Sequence, residues 1–130
     1  MGFGTAIWTG FRKYFNFSDR ASRSEFWYWT LFTLIITVVA AIVDAQLNIE
    51  LVSGLVGLVT FFPDWAIAVR RLHDLDESGW WLLLGFIPII GPIGLYIWFA
   101  LKGTDGYNQF GPDPLAAKTP VAHQEFSAPA

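Results

Sequence analysis

Residues 26–43 read FWYWTLFTLIITVVAAIV, eighteen positions without a charge, bounded by Glu25 and Asp44. That is about the shortest run able to cross the hydrocarbon core of a bilayer as a helix. The stretch LIITVVAAIV is apolar all round and lacks the polar stripe of a surface helix in a soluble domain. Just before it, SRSE (Ser22 to Glu25) has the pattern of a capping box. The Ser22 hydroxyl is placed to accept from the Glu25 amide, and the Glu25 carboxylate to reach back to Ser22. A cleaved leader is the competing reading. The run begins too far from Met1 and exceeds the 7–15 residues of a signal core, so an uncleaved helix is expected.

Working outward, Leu51 to Val69 is a second apolar run with one charge, Asp64, directly after Pro63. A third, Trp80 to Leu101, has none, and Pro88 and Pro92 interrupt it among Gly85, Gly91 and Gly94. Proline deletes a helix hydrogen bond and bends the axis, which predicts a kink at Pro88/Pro92. A re-entrant hairpin is the alternative for this segment. On the N-terminal side Phe3, Ile7, Phe11 and Phe15 share a helical face beside Trp8, as in a helix lying among lipid headgroups or an arm packed on a bundle.

The expected architecture is an all-α membrane protein. Three transmembrane helices, near residues 22–45, 51–74 and 80–101, follow an N-terminal interfacial arm over 1–21. A Gly/Pro-rich ordered cap spans 103–114, its glycines suited to positive φ, and a disordered tail covers 115–130. Composition agrees: 54% hydrophobic, 18% aromatic and only 15% charged, with mean hydropathy +0.44. Soluble domains carry about 25% charged residues. The net charge of −3 offers no basic patch for nucleic acid, and the absence of cysteine removes disulfides, thiolate metal sites and a cysteine nucleophile.

Arg12, Lys13, Arg20 and Arg23 precede the first helix and Arg70 and Arg71 lie after the second, whereas the Asp44–Glu50 loop has no basic residue. The positive-inside rule therefore places the N-terminus in the cytoplasm of a multi-pass inner (plasma) membrane protein, and three spans carry the tail to the other side.

Three stretches in this order, FSDRASRSEFWYW (17–29), RRLHD with SGWW (70–74 and 78–81) and GTDGYNQFGPDP (103–114), resemble the YhaH-like small bacterial inner-membrane proteins. These form a family built on a domain of unknown function (family 805). The resemblance covers about residues 10–114 and implies a polytopic inner-membrane protein; it brings no reaction with it. The chain departs from the family pattern with Asp19 in place of a usual Gly. It also has Asp76 and Glu77 where a small and a basic residue are frequent, which weakens any anion site built on net positive charge in that loop.

The candidate site is the polar rim at the mouths of the first two helices: Arg20, Arg23, Glu25, Arg70, Arg71, His73 and Asp74. Arg70 and Asp74 are four apart and Arg71 and Asp74 three apart, spacings at which helical side chains meet. Arginine's planar fork also suits lipid phosphate. His73–Asp74 lacks the further histidines a metal or hydrolase site requires, since the other, His123, lies in the tail. Asp64 lies six residues before Arg70, about 9 Å deeper, where a carboxylate needs a partner; Arg20 or Arg23 is expected to supply it. The rim points to a non-enzymatic protein binding lipid headgroups or a membrane partner, with no cofactor. The alternative is an oligomeric channel or transporter for small solutes or ions using Asp64 and the arginines. Gly54, Gly57, Gly91 and Gly94 permit close helix approach, so a homo-oligomer or another membrane protein remains open as partner.

Overall fold

The computed structural model describes residues 2–115, so the tail beyond Leu115 and its His123 lie outside the described residues. The elements are α1 (Phe3–Arg12), α2 (Arg23–Leu47), α3 (Leu51–Asp74), a 3-10 helix (Gly79–Phe86) and α4 (Ile90–Phe99). Among the described residues the sole β pairing is an isolated bridge between Asn108 and Gly111.

The start of α2 is half of the expected capping box. The Ser22 hydroxyl accepts the Glu25 amide at 3.3 Å, but the Glu25 carboxylate turns across to Arg70 instead of back to Ser22. At its far end Asn48 takes a left-handed conformation (φ 56°) and the chain reverses. The Asp44 carboxylate then accepts the Val52 and Ser53 amides, each at 2.9 Å. These are among the N–H groups that the first turn of α3 leaves without helical partners, so Asp44 welds the two long helices into an antiparallel pair.

Pro63 lies inside α3. Having no N–H, it leaves the Val59 carbonyl without its helix donor. The Tyr14 hydroxyl, carried in just after α1, donates to that carbonyl. The preceding helix α1 packs on α2 with Ala6, Thr9 and Gly10 inward, while Trp8 is 66% exposed. This differs from a face made of Phe3, Ile7, Phe11 and Phe15. Small residues admit the close approach, and the phenylalanines flank it: Phe3 meets Tyr28, Phe11 meets Trp29, and Phe15 meets Phe62 edge-on or tilted.

The third apolar segment departs from the expected single kinked helix. It is a 3-10 helix and a ten-residue α4 joined by a turn at Pro88 and Ile89, where Ile89 takes φ 67°. Pro92 falls in the first turn of α4, where its missing N–H costs nothing. Pro88 therefore marks a reversal and not a bend. The two arms run antiparallel: Trp81 contacts Trp98 at the base (5.6 Å, T-shaped), and Gly91 abuts the Leu84–Gly85 backbone near the tip. The hairpin thus begins and ends at the same end of the α2–α3 pair.

The core collects at that end. Ala21, Phe26, Trp29, Ile67, Leu72, Leu95 and Phe99 pack together, with Phe26 and Phe99 ring centroids 4.9 Å apart. Farther along the pair, Leu34, Val39 and Ile42 on α2 and Leu51, Leu55 and Leu58 on α3 are all more than half exposed. Both helices are long and apolar enough to cross a membrane. An apolar surface this continuous suits lipid and not water.

A Cβ at Gly91 would lie 1.7 Å from the Leu84 carbonyl oxygen, whereas one at Gly94 meets nothing within 4 Å. Gly91→Ala is expected to cost about 1–3 kcal/mol through overpacking, with Gly94→Ala close to neutral. Thermal unfolding of the two variants in detergent checks this; equal damage from both would contradict the closed hairpin.

Candidate functional site

The rim residues converge on Asp74, the last residue of α3. One carboxylate oxygen accepts from Arg20 Nε at 3.0 Å with Nη2 of the same guanidinium at 2.9 Å, and the other accepts from Arg71 Nη1. Arg71 sits one turn back on the same helix and Arg20 on the chain leading into α2, so the pair of arginines ties the two helix mouths together. All three side chains are buried or nearly so.

Arg71 uses its fork fully. Nε donates to the Phe99 carbonyl at 2.9 Å, Nη1 also to the Ala21 carbonyl at 3.0 Å, and Nη2 to the Leu101 carbonyl. The carbonyls around the end of α4 are those a helix leaves without donors, and they carry the negative end of its dipole. A guanidinium is well matched to them because its donors diverge in one plane. Arg23 adds a longer bond to the Ala100 carbonyl at 3.3 Å.

Arg20 extends the same device to the segment after α4. It donates to the carbonyls of Thr104, Gly106 (2.6 Å) and Gly111 (3.1 Å). The Thr104 amide returns a bond to the Asp74 carbonyl at 2.7 Å, and a Cβ at Gly103 would strike the Asp74 carboxylate at 1.8 Å. Gly103 is thus required for close approach, and not for the positive φ that suited it in sequence; positive φ occurs at Gly106 and Gly111.

Arg70 is fully buried and pairs with Glu25 across the α2–α3 interface, while its own carbonyl accepts the Ala21 amide at 2.9 Å. Its Nε and Nη2 have no hydrogen-bond partner. Burying a charge pair is costly, and removing one member leaves the other stranded.

His73 stacks flat on Phe110, 3.9 Å between centroids and 6° between planes. Its Nδ1 lies 3.0 Å from the Asp19 carbonyl and 3.2 Å from that of Ser18; both are acceptors, so Nδ1 carries the proton. Its backbone carbonyl accepts from Asn108 Nδ2 at 2.8 Å. The histidine is a packing and hydrogen-bonding post for the cap. Among the described residues no group of three His, Asp or Glu could hold a metal ion. Nearby, a hydrogen bond from Lys13 at 3.1 Å holds the Asp19 carboxyl below the usual carboxylate range.

The structure therefore brings Arg20, Glu25, Arg70, Arg71, His73 and Asp74 together as a buried clasp. Arg23 stays exposed at its edge. Asp64 stands apart, and the expected pairing with Arg20 or Arg23 does not occur, because those guanidiniums are taken by Asp74 and by backbone carbonyls. Its Oδ1 accepts instead from the Trp29 indole N–H at 2.7 Å. Trp29 and Tyr14 were not singled out in sequence: an indole N–H aimed inward is indistinguishable there from one in an interfacial belt. Asp76 and Glu77 lie at the surface side of the loop, where Asp76 (φ 62°) accepts the Gln109 amide at 3.2 Å and Glu77 accepts the Trp81 indole at 3.1 Å.

Arg71→Ala removes one of the two arginines on Asp74 and strips the Phe99, Ala21 and Leu101 carbonyls of their donor, and is expected to cost about 3–5 kcal/mol. Arg71→Lys should restore little, since an ammonium cannot span the same acceptors. Asp76→Ala, which removes one exposed hydrogen bond, should cost no more than about 1 kcal/mol. Melting curves of the three variants in detergent check the order; Asp76→Ala matching Arg71→Ala would contradict the clasp.

Comparison with known proteins locates this architecture. The family model described as "Protein of unknown function (DUF805)" matches residues 14–112. The Escherichia coli (strain K12) inner membrane protein YhaI is 44% identical over 105 residues, covering 79% of this chain and 89% of that protein. Inner membrane protein YhaH of the same strain is 39% identical over 109 residues, covering 79% of this chain and 90% of its own. No solved structure matches. A match spanning both long helices, the clasp and the cap leaves one assignment: the chain belongs to the DUF805 family of bacterial inner-membrane proteins.

Proposed function

We propose that the protein is a non-enzymatic inner-membrane component that binds anionic lipid headgroups at the edge of the clasp. In this reading α2 and α3 span the bilayer and the 79–101 hairpin re-enters it from the rim side. The N-terminus and the 103–115 segment then share the cytoplasmic face. The positive-inside rule supports that side, since Arg12, Lys13, Arg20, Arg23, Arg70, Arg71 and Lys102 all belong to it. Support for re-entry comes from α4, which at 1.5 Å per residue reaches about 15 Å, half a hydrocarbon core, and whose end is held at the rim by Arg71 and Arg23. The earlier three-span expectation gives way to two spans and a hairpin in this proposal.

The observation that carries headgroup binding is a cleft of about 230 Å³ in which Arg23 and Lys102 stand beside Ser22, Ser24 and Thr104, with Asp74, Asp105 and Asp113 also in its lining. Asp74 is already neutralised by Arg20 and Arg71, and Asp105 pairs with Lys102. Arg20, Arg70 and Arg71 are consumed by the clasp, and Arg23 and Lys102 are the cations of the cleft itself. Arg23 forms no carboxylate pair among the described residues, and Lys102 pairs with Asp105 in an exposed contact that contributes little.

Two measurements test the reading. A reporter fused to the C-terminus should show cytoplasmic activity; periplasmic activity would restore the three-span topology. The purified protein should retain phosphatidylglycerol in preference to phosphatidylethanolamine, and Arg23→Ala and Lys102→Ala should each weaken that retention about fivefold, as expected for about 1 kcal/mol per interfacial cation. Unchanged retention in the double variant would overturn the headgroup assignment.

A further inference from the structure

We infer that Asp64 is the anchor of a binding site for small organic ammonium ions with an apolar body, set in the groove between α3 and the 3-10 helix. The inference rests on α3 being embedded in the membrane, and is independent of the headgroup cleft.

Asp64 lines a cavity of about 240 Å³ whose other walls are Trp65, Ala68, Leu82, Gly85 and Phe86. It is the single charged group there, and it joins no ion pair among the described residues. One oxygen is held by the Trp29 indole, a neutral donor that orients the carboxylate without neutralising it. A second cavity of about 420 Å³, bordered by Phe17, His73, Ser78 and Trp80, adjoins the first at Trp65 and Leu82. Together they make an aromatic-walled groove leading from the rim to Asp64. The groove exists because the hairpin lies against α3: a single straight third helix would not bring residues 82–86 beside Asp64.

The chemistry of these walls selects the ligand class. A carboxylate at membrane depth requires a counter-charge, a proton or water. Calcium and magnesium ions require several oxygen ligands, and this cavity offers one carboxylate among carbon walls. An alkyl- or arylammonium ion fits both halves of the site. Its charged head pairs with Asp64, its body fills apolar space, and the rings of Trp65 and Phe86 favour a nearby cation. Acidic or neutral solutes gain nothing from the carboxylate.

The test uses the full chain purified in detergent, with benzylammonium as probe and benzyl alcohol as its neutral counterpart. Calorimetric titration is expected to show saturable binding of benzylammonium at least about tenfold tighter than benzyl alcohol. Asp64→Asn, which keeps an oxygen for the Trp29 indole, should abolish that preference. Ala68→Phe keeps Asp64 and fills the cavity, so it should abolish binding of both probes, and it serves as the deciding variant if Asp64→Asn does not fold. Equal affinity for amine and alcohol, absence of saturable binding, or a preference that survives in either variant would overturn the inference. Lipid composition is not varied, so failure here is distinct from failure of the headgroup reading.

Discussion

A single carboxylate gripped from two sides organises this molecule. Asp74 receives Arg20 from the chain entering α2 and Arg71 from its own helix, and each arginine then spends its remaining donors on backbone carbonyls farther along the chain. The carboxylate alone would be an expensive buried charge; the two guanidiniums without it would repel each other. Joined, they convert the ragged ends of three segments into one hydrogen-bonded knot. The hairpin, the cap and the mouths of both long helices all take their positions from it.

The knot lies at one end for a reason rooted in solvent. In hydrocarbon the apolar effect gives helices little incentive to pack, so contact must come from close fit and polar bonds. Away from the knot the α2–α3 pair accordingly leaves Leu34, Val39, Ile42, Leu51, Leu55 and Leu58 outward. Its one polar fastening at the far turn is Asp44 on the Val52 and Ser53 amides. Burying charge is costly unless it is paired, and the chain concentrates three arginines and two acids in this one knot.

Much of the scaffold was legible in the sequence because it follows from period and charge. The uncharged run from Phe26 to Val43, the Ser22 cap and the three-residue spacing of Arg71 and Asp74 each dictate their own local outcome. The site residues, read as a surface rim, proved to be an interior clasp, because nothing in a one-dimensional string shows that carbonyls of residues 99–111 return to meet them. The third segment misled for a related reason. Two prolines in an apolar run are compatible with a bent helix or a reversal, and the choice was made by Gly91, which lets α4 lie against the Leu84 carbonyl. Glu25 shows competition: a local bond to Ser22 lost to Arg70, whose buried charge had greater need of it.

The placement of Arg71 also bears on biogenesis. Its acceptors at Phe99 and Leu101 are synthesised 28 and 30 residues after it. During translation α3 is therefore complete, with Asp74 and the Ala21 carbonyl available to Arg71, before its other two acceptors exist. Until they arrive, the remaining donors of Arg71 need water. The hairpin does not complete its own contacts either, since its base is closed by a residue of the preceding helix. The clasp is thus completed only once residues 99–111 have been made, and a nascent chain halted before Phe99 would leave Nε and Nη2 of Arg71 without their carbonyls.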